Sequence, residues 1–552
     1  MTVITFRKSD LEKLLGIELS EEELRQILSR LKGEVEKIEG DEVEMEITHD
    51  RPDLFSVEGL ARSLKGLLGI ELGAPRLSVR ENAYELYVEN VPHRKYIVTC
   101  IVRDVELDDE AVRQLMQLQE KLHQTYGRDR RYFAIGLYDA DKIKFPITYK
   151  LVKVSEVRYI PLGHDQQMTG EEVLEKTEKG IKYRNLALFE DKVPVIVDSE
   201  NNVLVIIPVL NSELHKVTPD TKNIMIDVTA IDLRYALDAM RILIYNIAER
   251  SRTKIVEIPL IHADYGETVR QKLLEFKKFE LELSYIEDIS GLTMSVEDAV
   301  KYLLMARHDA YSEDNRIVVK VPPFRINVLH SVDLVEDILV SYGYDRIVPE
   351  YPAQPVQGRL TTRTRLVDYL RTALLGMSFQ EVMTYIMTST SLLKTCHQDR
   401  GLIEVLNPKS ELYNCVRTSI WPVLLEAATK NEARVSEQLR LFDFGEVAYV
   451  DNGKVVQDFR LCFLITGRRV TLTDGLVVLR TLSRLLGLEF RYEKMIVPGL
   501  IPERTAKVIT KNVELGYVGE VSPEVLSELG FYYPTVIAEL SIDKLLTVLE
   551  QV

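Results

Sequence analysis

What the chain lacks narrows its possibilities first. Its 552 residues contain four cysteines, Cys100, Cys396, Cys415 and Cys462, none in a Cys-x-x-Cys pair. That excludes a disulfide framework and a zinc ribbon, and leaves buried free thiols as the reading. No stretch approaches the roughly 18 unbroken apolar residues of a membrane span. The opening MTVITFRKSDLEKLLG has no apolar signal core, so the expected location is the cytoplasm. There is no GxxxxGKS or GxxxxGKT phosphate loop, no HExxH helix and no GxSxG elbow, so ATP chemistry has no evident home here. Positive charge is also in deficit. The formal net charge is -16, whereas affinity for a polyanion comes mainly from Lys and Arg displacing counterions. Any RNA contact must therefore be a local basic patch.

What is present has the composition of an ordinary globular protein, with 46% hydrophobic and 28% charged residues. At about 100 to 200 residues per domain, the length predicts three or four cores. Ser9-x-x-Glu12 and Ser20-x-x-Glu23 read as capping boxes of two short helices, stopped at Gly16 and Gly33. EVEMEI, from Glu42 to Ile47, alternates charged and apolar residues as a half-buried strand does. After Arg51-Pro52, Asp53 is placed to cap a helix with Leu60, Leu64 and Leu67 on one face. A first domain is set at 1–80. From 81 to 262, β-rich runs such as YIVTCIVRDV, VPVIVD and NIMIDVT alternate with helices, notably Glu110 to Tyr126 and Leu237 to Glu249. Residues 263–352 form a small α+β module with strand-like FELEL and RIVVKVPP, the helix SVEDAVKYLLMARH, and a helix from Ser331 to Tyr342 ended by Gly343. YPAQPVQG reads as a linker, and LVDYLRTALLGM opens a last unit, 353–552.

Three places carry candidate chemistry. Asp333, Glu336 and Asp337 share one helix face at i, i+3 and i+4, opposite Val332, Val335, Leu339 and Tyr342. Their repulsion needs an offset: water, an arginine such as Arg325, or a hard cation such as magnesium. The run from Asn211 to Asn223 packs hydroxyls, amides and His215 between two apolar strands, and Thr229 and Asp232 follow near the same end. It reads either as the lining of a polar pocket or as an ordinary turn. No Ser or Cys nucleophile motif accompanies His215, so it is read as structural. Arg417, between a thiol and hydroxyls, is set to meet phosphate or a neighbouring acid.

The string PPFRINVLHSVDLVEDILVSYGYDRI resembles a signature of the phenylalanyl-tRNA synthetase large (beta) subunit family. DRPDLFSVEGLAR, LQEKLHQ with AIGLYD, and LNPKSELYNCVRTSI with LFDFGEV agree with it in order along the chain. Length and order resemble the archaeal and eukaryotic branch. The resemblance implies a multidomain α+β chain: an N-terminal α/β domain, an α+β editing-like domain, the small module with its acidic metal helix, and a class II synthetase-like antiparallel sheet domain without activating motifs. It implies a role in phenylalanine-tRNA ligase beside a smaller catalytic alpha subunit, in a heterotetramer of two alpha and two beta chains. ATP is then the substrate of the complex, and tRNA(Phe) is the nucleic-acid partner. The family places magnesium, shared with the small subunit, at the positions of Asn327, Asp333, Glu336 and Asp337; here Asn327 stands where the family pattern has aspartate.

The second domain resembles the family's editing module, which hydrolyses tyrosine wrongly attached to tRNA(Phe). A pocket for phenylalanine rejects the isostere with one added hydroxyl only about a hundredfold, while a site that hydrogen-bonds the hydroxyl selects far more sharply. Carried over by position, Asn211, Thr218, Thr221, Asn223, Asp227 and Thr229 form the pocket wall, orienting a water and the ester without a covalent nucleophile. The sequence departs from the family at His215, where a small hydroxyl residue is expected, and at Ala230-Ile231, where Gly-Thr is usual. Two rivals stand beside this reading: a free-standing misacylated-tRNA deacylase, and a non-enzymatic scaffold with a decayed editing site.

Overall fold

Residues 2–314, 316–351, 357–431 and 438–550 are described by the computed structural model. The chain is a mixed α+β protein with several sheets, dividing into two compact units after Glu350. The linker reading of YPAQPVQG falls largely outside the described residues. Among the described residues no helix is long and apolar enough to cross a membrane, and all four cysteines are buried and free.

In the first unit, the strand Glu42–Ile47 lies between Thr2–Arg7 and Gly33–Glu39. Its alternation does what the pattern predicts, burying Val43, Met45 and Ile47. Both pairings are antiparallel, so the first module is α+β and not the α/β domain expected. Ser20 and Glu23 close their capping box reciprocally, at 3.2 and 2.8 Å. The box expected at Ser9 and Glu12 does not form. Ser9 lies inside the helix Lys8–Leu15, where its hydroxyl donates to Asp41 at 2.7 Å, and Glu12 instead accepts the N–H of Leu19 at 2.7 Å. Nor does Asp53 cap a helix: it is buried in the turn Pro52–Leu54, bound to Arg51 by two 2.8 Å hydrogen bonds.

The middle of this unit is built on two sheets. One orders Ser78–Arg80, Ile255–Glu257, Tyr96–Val102, Ile224–Ala230 and Phe133–Asp139. The other runs from Leu210–Asn211 through Val203–Ile206, Lys192–Val197, Ile147–Lys153 and Glu85–Val88 to Leu260–His262. All seven residues of Ile224–Ala230 are buried, because strands flank it on both edges and the helix Leu233–Ala248 packs against it. One apolar core runs through this region and the first module, joining Ile4 and Leu60 to Ile97, Leu243 and Phe324. The smaller sheet Lys277–Leu281, Arg316–Val321, Asp309–Glu313 carries the helices Val296–Met305 and Ser331–Tyr342 on a core of its own. Gly343 ends the second helix at φ 102°, a conformation a side chain would strain.

The second unit is a seven-stranded sheet, antiparallel except at the short edge strand Gln380–Glu381. LFDFGEV lies in the strand Gln438–Asp451. Two apolar clusters pack on the sheet, one holding Leu370, Leu479 and Leu545, the other Trp421, Leu424 and Val525.

Candidate functional site

A cavity of about 310 Å³ opens in the middle region of the first unit, at the small end of the range for ligand pockets. The helix Asp109–Gln124 lends it Val112, Met116 and Gln119, the strand Phe133–Asp139 lends Ala134 to Leu137, and the run Val205 to Asn211 closes another side. The walls are mainly apolar. Polar groups enter at six places: Gln119, Arg130, Lys179, Asn211, Lys216 and Asp227.

Asp227 has the most unusual chemistry. Its strand sets it beside Thr99 on one neighbour and Gly136 on the other. Tyr138 donates its hydroxyl to Asp227 Oδ2 at 2.7 Å. Burial outweighs that bond, the Gly136 N–H and the charge of Arg94, and pushes the carboxyl up to about 7. Position 136 has to be glycine, since a Cβ there would collide with the Asp227 carboxylate and the Tyr138 hydroxyl.

The surrounding cations are anchored. Arg130 Nη1 donates to the Pro208 and Val209 carbonyls at 2.9 and 3.1 Å, and Nη2 to Glu120 at 3.3 Å. Burial, helped by Arg130, lowers the Lys179 pKa. His123 Nε2 accepts the Ile135 N–H at 2.8 Å, and burial pushes this ring down to about 4, so it stays neutral. The cavity can seat an aromatic ring with a polar tip, and its lining offers no Ser, Thr or Cys nucleophile among the described residues.

Of the six pocket residues expected from sequence, Asn211 and Asp227 line the cavity, and Asn211 Nδ2 donates to Leu137 O at 3.3 Å. Thr218, Thr221, Asn223 and Thr229 do not, because nearer groups or the strand interior hold them. The Thr221 hydroxyl donates to Asp139 at 3.2 Å and accepts the Thr218 N–H at 3.1 Å. Asn223 Nδ2 donates to both oxygens of Asp141 at 2.7 and 2.9 Å. Thr229 is fully buried two residues beyond Asp227, its hydroxyl unpartnered among the described residues. His215 is buried with both ring nitrogens unpartnered among the described residues, and burial lowers its pKa. Neither it nor Ala230 nor Ile231 lines the cavity. Sequence reasoning missed Gly136, Tyr138, Gln119 and Arg130, although AIGLYD contains the first two and LQEKLHQ the third.

The acidic helix Ser331–Tyr342 turns a different face inward from the one expected. Leu334, Val335, Asp337, Ile338 and Ser341 are buried, while Val332 is exposed. Both Asp337 oxygens accept from Arg325 Nη2 at 2.8 Å, and Oδ2 lies 2.8 Å from His308 Nε2. Burial opposes its ionisation, but Arg325 and His308 hold this carboxyl far below its ordinary range. Asn327 Oδ1 accepts from Arg325 Nε at 3.1 Å. Glu336 pairs with Lys32 at 2.8 Å, and Asp333 Oδ2 accepts the N–H groups of Leu329 and His330 at 2.8 Å each. The four expected ligands therefore do not fit one cation within this chain. Arg325 holds both Asp337 oxygens and Asn327 Oδ1, Lys32 holds Glu336 Oε2, and backbone N–H groups hold Asp333 Oδ2; among the described residues no three His, Cys, Asp or Glu side chains are grouped to hold a metal ion.

In the second unit Arg417 meets an acid: it is buried 3.3 Å from Asp443, 2.7 Å from the Thr384 hydroxyl and 2.9 Å from Glu446 O.

Residues 347–542 match the family described as phenylalanyl tRNA synthetase beta chain CLM domain, and residues 4–60 with 279–344 match the tRNA synthetase B5 domain. The chain is 40% identical over 542 residues to the phenylalanine-tRNA ligase beta subunit of Pyrobaculum aerophilum, covering 98% of this chain and 100% of that one. With the Thermofilum pendens beta subunit it shares 40% over 549 residues, 98% of each chain. A solved N-terminal fragment of the Pyrococcus horikoshii phenylalanyl-tRNA synthetase beta subunit superposes with TM-score 0.57 at 36% identity, covering 62% of this chain and all of the fragment.

Proposed function

Because the chain belongs to the phenylalanyl-tRNA synthetase beta-subunit family, we propose that its 310 Å³ cavity hydrolyses tyrosine wrongly esterified to tRNA(Phe). The chain as a whole serves phenylalanine-tRNA ligase (EC 6.1.1.20), in which ATP-dependent attachment of phenylalanine requires an alpha subunit beside it. We read the complex as two alpha and two beta chains.

The observation that carries the deacylation reading is Asp227. A carboxyl that titrates near 7 at an apolar cavity can accept a hydrogen bond from a phenolic hydroxyl, and phenylalanine leaves that acceptor unsatisfied. Sites that hydrogen-bond a hydroxyl discriminate against its absence by as much as about 10⁴ to 10⁵, far beyond what apolar fit achieves. Asn211 sits at the same wall with an amide suited to orienting the ester or the attacking water. The decayed-scaffold rival loses its motive here, since none of the departing positions, His215, Ala230 and Ile231, lines the cavity.

We keep the finer division at 80, 262 and 352 with one amendment: the first and third modules act as halves of one interrupted B5 unit. Arg30 donating to the carbonyls of Val340 and Ser341 at 3.1 and 2.8 Å supports this, as does the Lys32–Glu336 pair. Magnesium use belongs to the complex, and no step in this reading passes through a metal held by this chain.

The test is co-production with an alpha subunit, followed by charging of tRNA(Phe) and by deacylation of preformed tyrosyl- and phenylalanyl-tRNA(Phe). Charging should need both chains, and tyrosyl-tRNA should be hydrolysed in preference to phenylalanyl-tRNA. Equal hydrolysis of the two esters, or none above the spontaneous rate, would remove the editing assignment.

A further inference from the structure

We propose that the loop from Thr125 to Tyr132, with Arg234 and Tyr235, is a docking platform for the single-stranded 3′ end of an RNA, next to the cavity. The proposal rests on the deacylation reading for the identity of the RNA, and on separate observations for the platform.

A hollow of about 720 Å³ is bordered by Tyr126, Arg128, Arg131, Tyr132 and Tyr235. Tyr132 and Tyr235 stack at 4.8 Å and 17°, with Tyr126 edge-on to Tyr235 at 6.1 Å. Arg128 lies over the Tyr132 ring at 5.5 Å and Arg234 over Tyr235 at 5.1 Å. Bases stack on tyrosine rings and on guanidinium planes alike, whatever their sequence.

The charge is equally suggestive. Acids outnumber bases by 86 to 70 in this chain, yet Arg128, Arg131 and Arg234 are exposed with no salt bridge among the described residues, the neighbouring Asp232 attracting Arg234 only at longer range. Asp129, the acid within the loop, is already bound by Lys182 at 3.2 Å and Tyr183 at 2.8 Å. This is the local basic patch that an acidic chain needs in order to meet a polyanion.

The backbone ties platform to cavity. Arg128, Asp129 and Arg130 take φ of 46°, 54° and 66° in succession, a run that non-glycine residues adopt only where the surroundings enforce it. The enforcement is visible: Asp129 N–H donates to His123 O at 2.7 Å, Tyr132 N–H to Gly127 O at 3.0 Å, and Arg94 Nη2 to Arg130 O at 2.7 Å. The turn buries Arg130 at the cavity wall while Arg128 and Arg131 stay exposed on either side of it. An RNA end held on the outer face would thus lie one residue away from a side chain that lines the hydrolytic site.

The experiment measures fluorescence anisotropy of a labelled, uncharged CCA-ended oligoribonucleotide on the full chain, against salt. Arg128→Ala, Arg131→Ala and Arg234→Ala together should weaken binding at least about tenfold and lower the salt slope by roughly two, at ~0.7 per single-strand phosphate contact. Tyr235→Leu should weaken binding about tenfold for the base-containing strand but not for an abasic one. Wild-type chain that does not bind, an arginine variant with unchanged affinity and slope, or a Tyr235→Leu chain that treats both strands as wild type does would each overturn the platform. Because the probe carries no amino acid, loss of tyrosyl-tRNA hydrolysis would sink the cavity's assignment and leave this result standing.

Discussion

Two aspartates, Asp227 and Asp337, are almost completely buried in the same unit, and they titrate in opposite directions. Asp337 has Arg325 and His308 within 2.8 Å, so burial strengthens the attraction that keeps it charged. Asp227 has a tyrosine hydroxyl at 2.7 Å, no cation within ion-pair distance among the described residues, and a cavity beside it, so burial penalises its charge. The first arrangement spends its oxygens on the fold. The second leaves a carboxyl at a cavity wall, held by a hydroxyl and an N–H rather than by a cation. Depth alone therefore marks neither a structural nor a functional acid; the partners decide.

The comparison can be broken most forcefully at Asp337. Asp337→Asn should destabilise the first unit by about 3–5 kcal/mol, because Arg325 is left buried without its counter-charge. Chemical unfolding reads this, and Asp337→Leu combined with Arg325→Met should recover most of the loss. Next in size, Asp227→Ala should lower kcat/KM for tyrosyl-tRNA(Phe) deacylation about a hundredfold, about 2.7 kcal/mol, while leaving phenylalanine charging by the complex intact. A variant that still hydrolyses at the wild-type rate would place the recognising group elsewhere.

A pH series sharpens the contrast further. The folded pKa of Asp227 is raised to about 7, so its contribution to stability is present below the ordinary carboxylate pKa and is lost as pH rises through 7. The folded pKa of Asp337 is depressed, so its contribution is present above the ordinary value and is lost only as pH falls well below it. Asp227→Asn should therefore gain stability relative to wild type as pH rises from about 4 to 7, and should remove any break near 7 from the deacylation profile. The smallest effect expected is none: since Arg325 already holds Asp337 and Asn327, chelating magnesium should not move the unfolding midpoint of the isolated chain. A downward shift on chelation would show a cation site that the acidic helix builds after all.

Local periodicity made much of the fold legible. EVEMEI buries the face its alternation marks, and the helix Ser331–Tyr342 appears over the residues expected, although it buries a different face from the one its spacing suggested. Most of the failures come from competition by residues distant in sequence, whereas at Asp53 the competitor, Arg51, is two residues away. Ser9 had a partner three residues on, but Asp41, in the turn between two strands, took it. Thr221 and Asn223 were suited to a pocket, but Asp139 at the end of another strand and Asp141 in the turn after it claimed them. Helix spacing put Asp333, Glu336 and Asp337 on one face and the sequence offered Arg325 as one possible offset; Arg325 does hold the last of them, but spacing could not choose it over water or a cation. The pocket was legible where resemblance pointed, at Asn211 and Asp227, and its remaining wall was illegible because Gly136 and Tyr138 meet Asp227 only through strand pairing.

The interrupted first module also sets a schedule for synthesis. Lys32 is partnered with Glu336, 304 residues later, and at roughly 5 to 20 residues per second the two leave the ribosome some 15 to 60 seconds apart. Ile4, Leu60 and their neighbours pack into the core they share with Ile97 and Leu243, all of which precede Glu336 in the chain. The middle region is thus the scaffold on which the opening segment must wait for its second half, and the order of translation becomes part of how this chain folds.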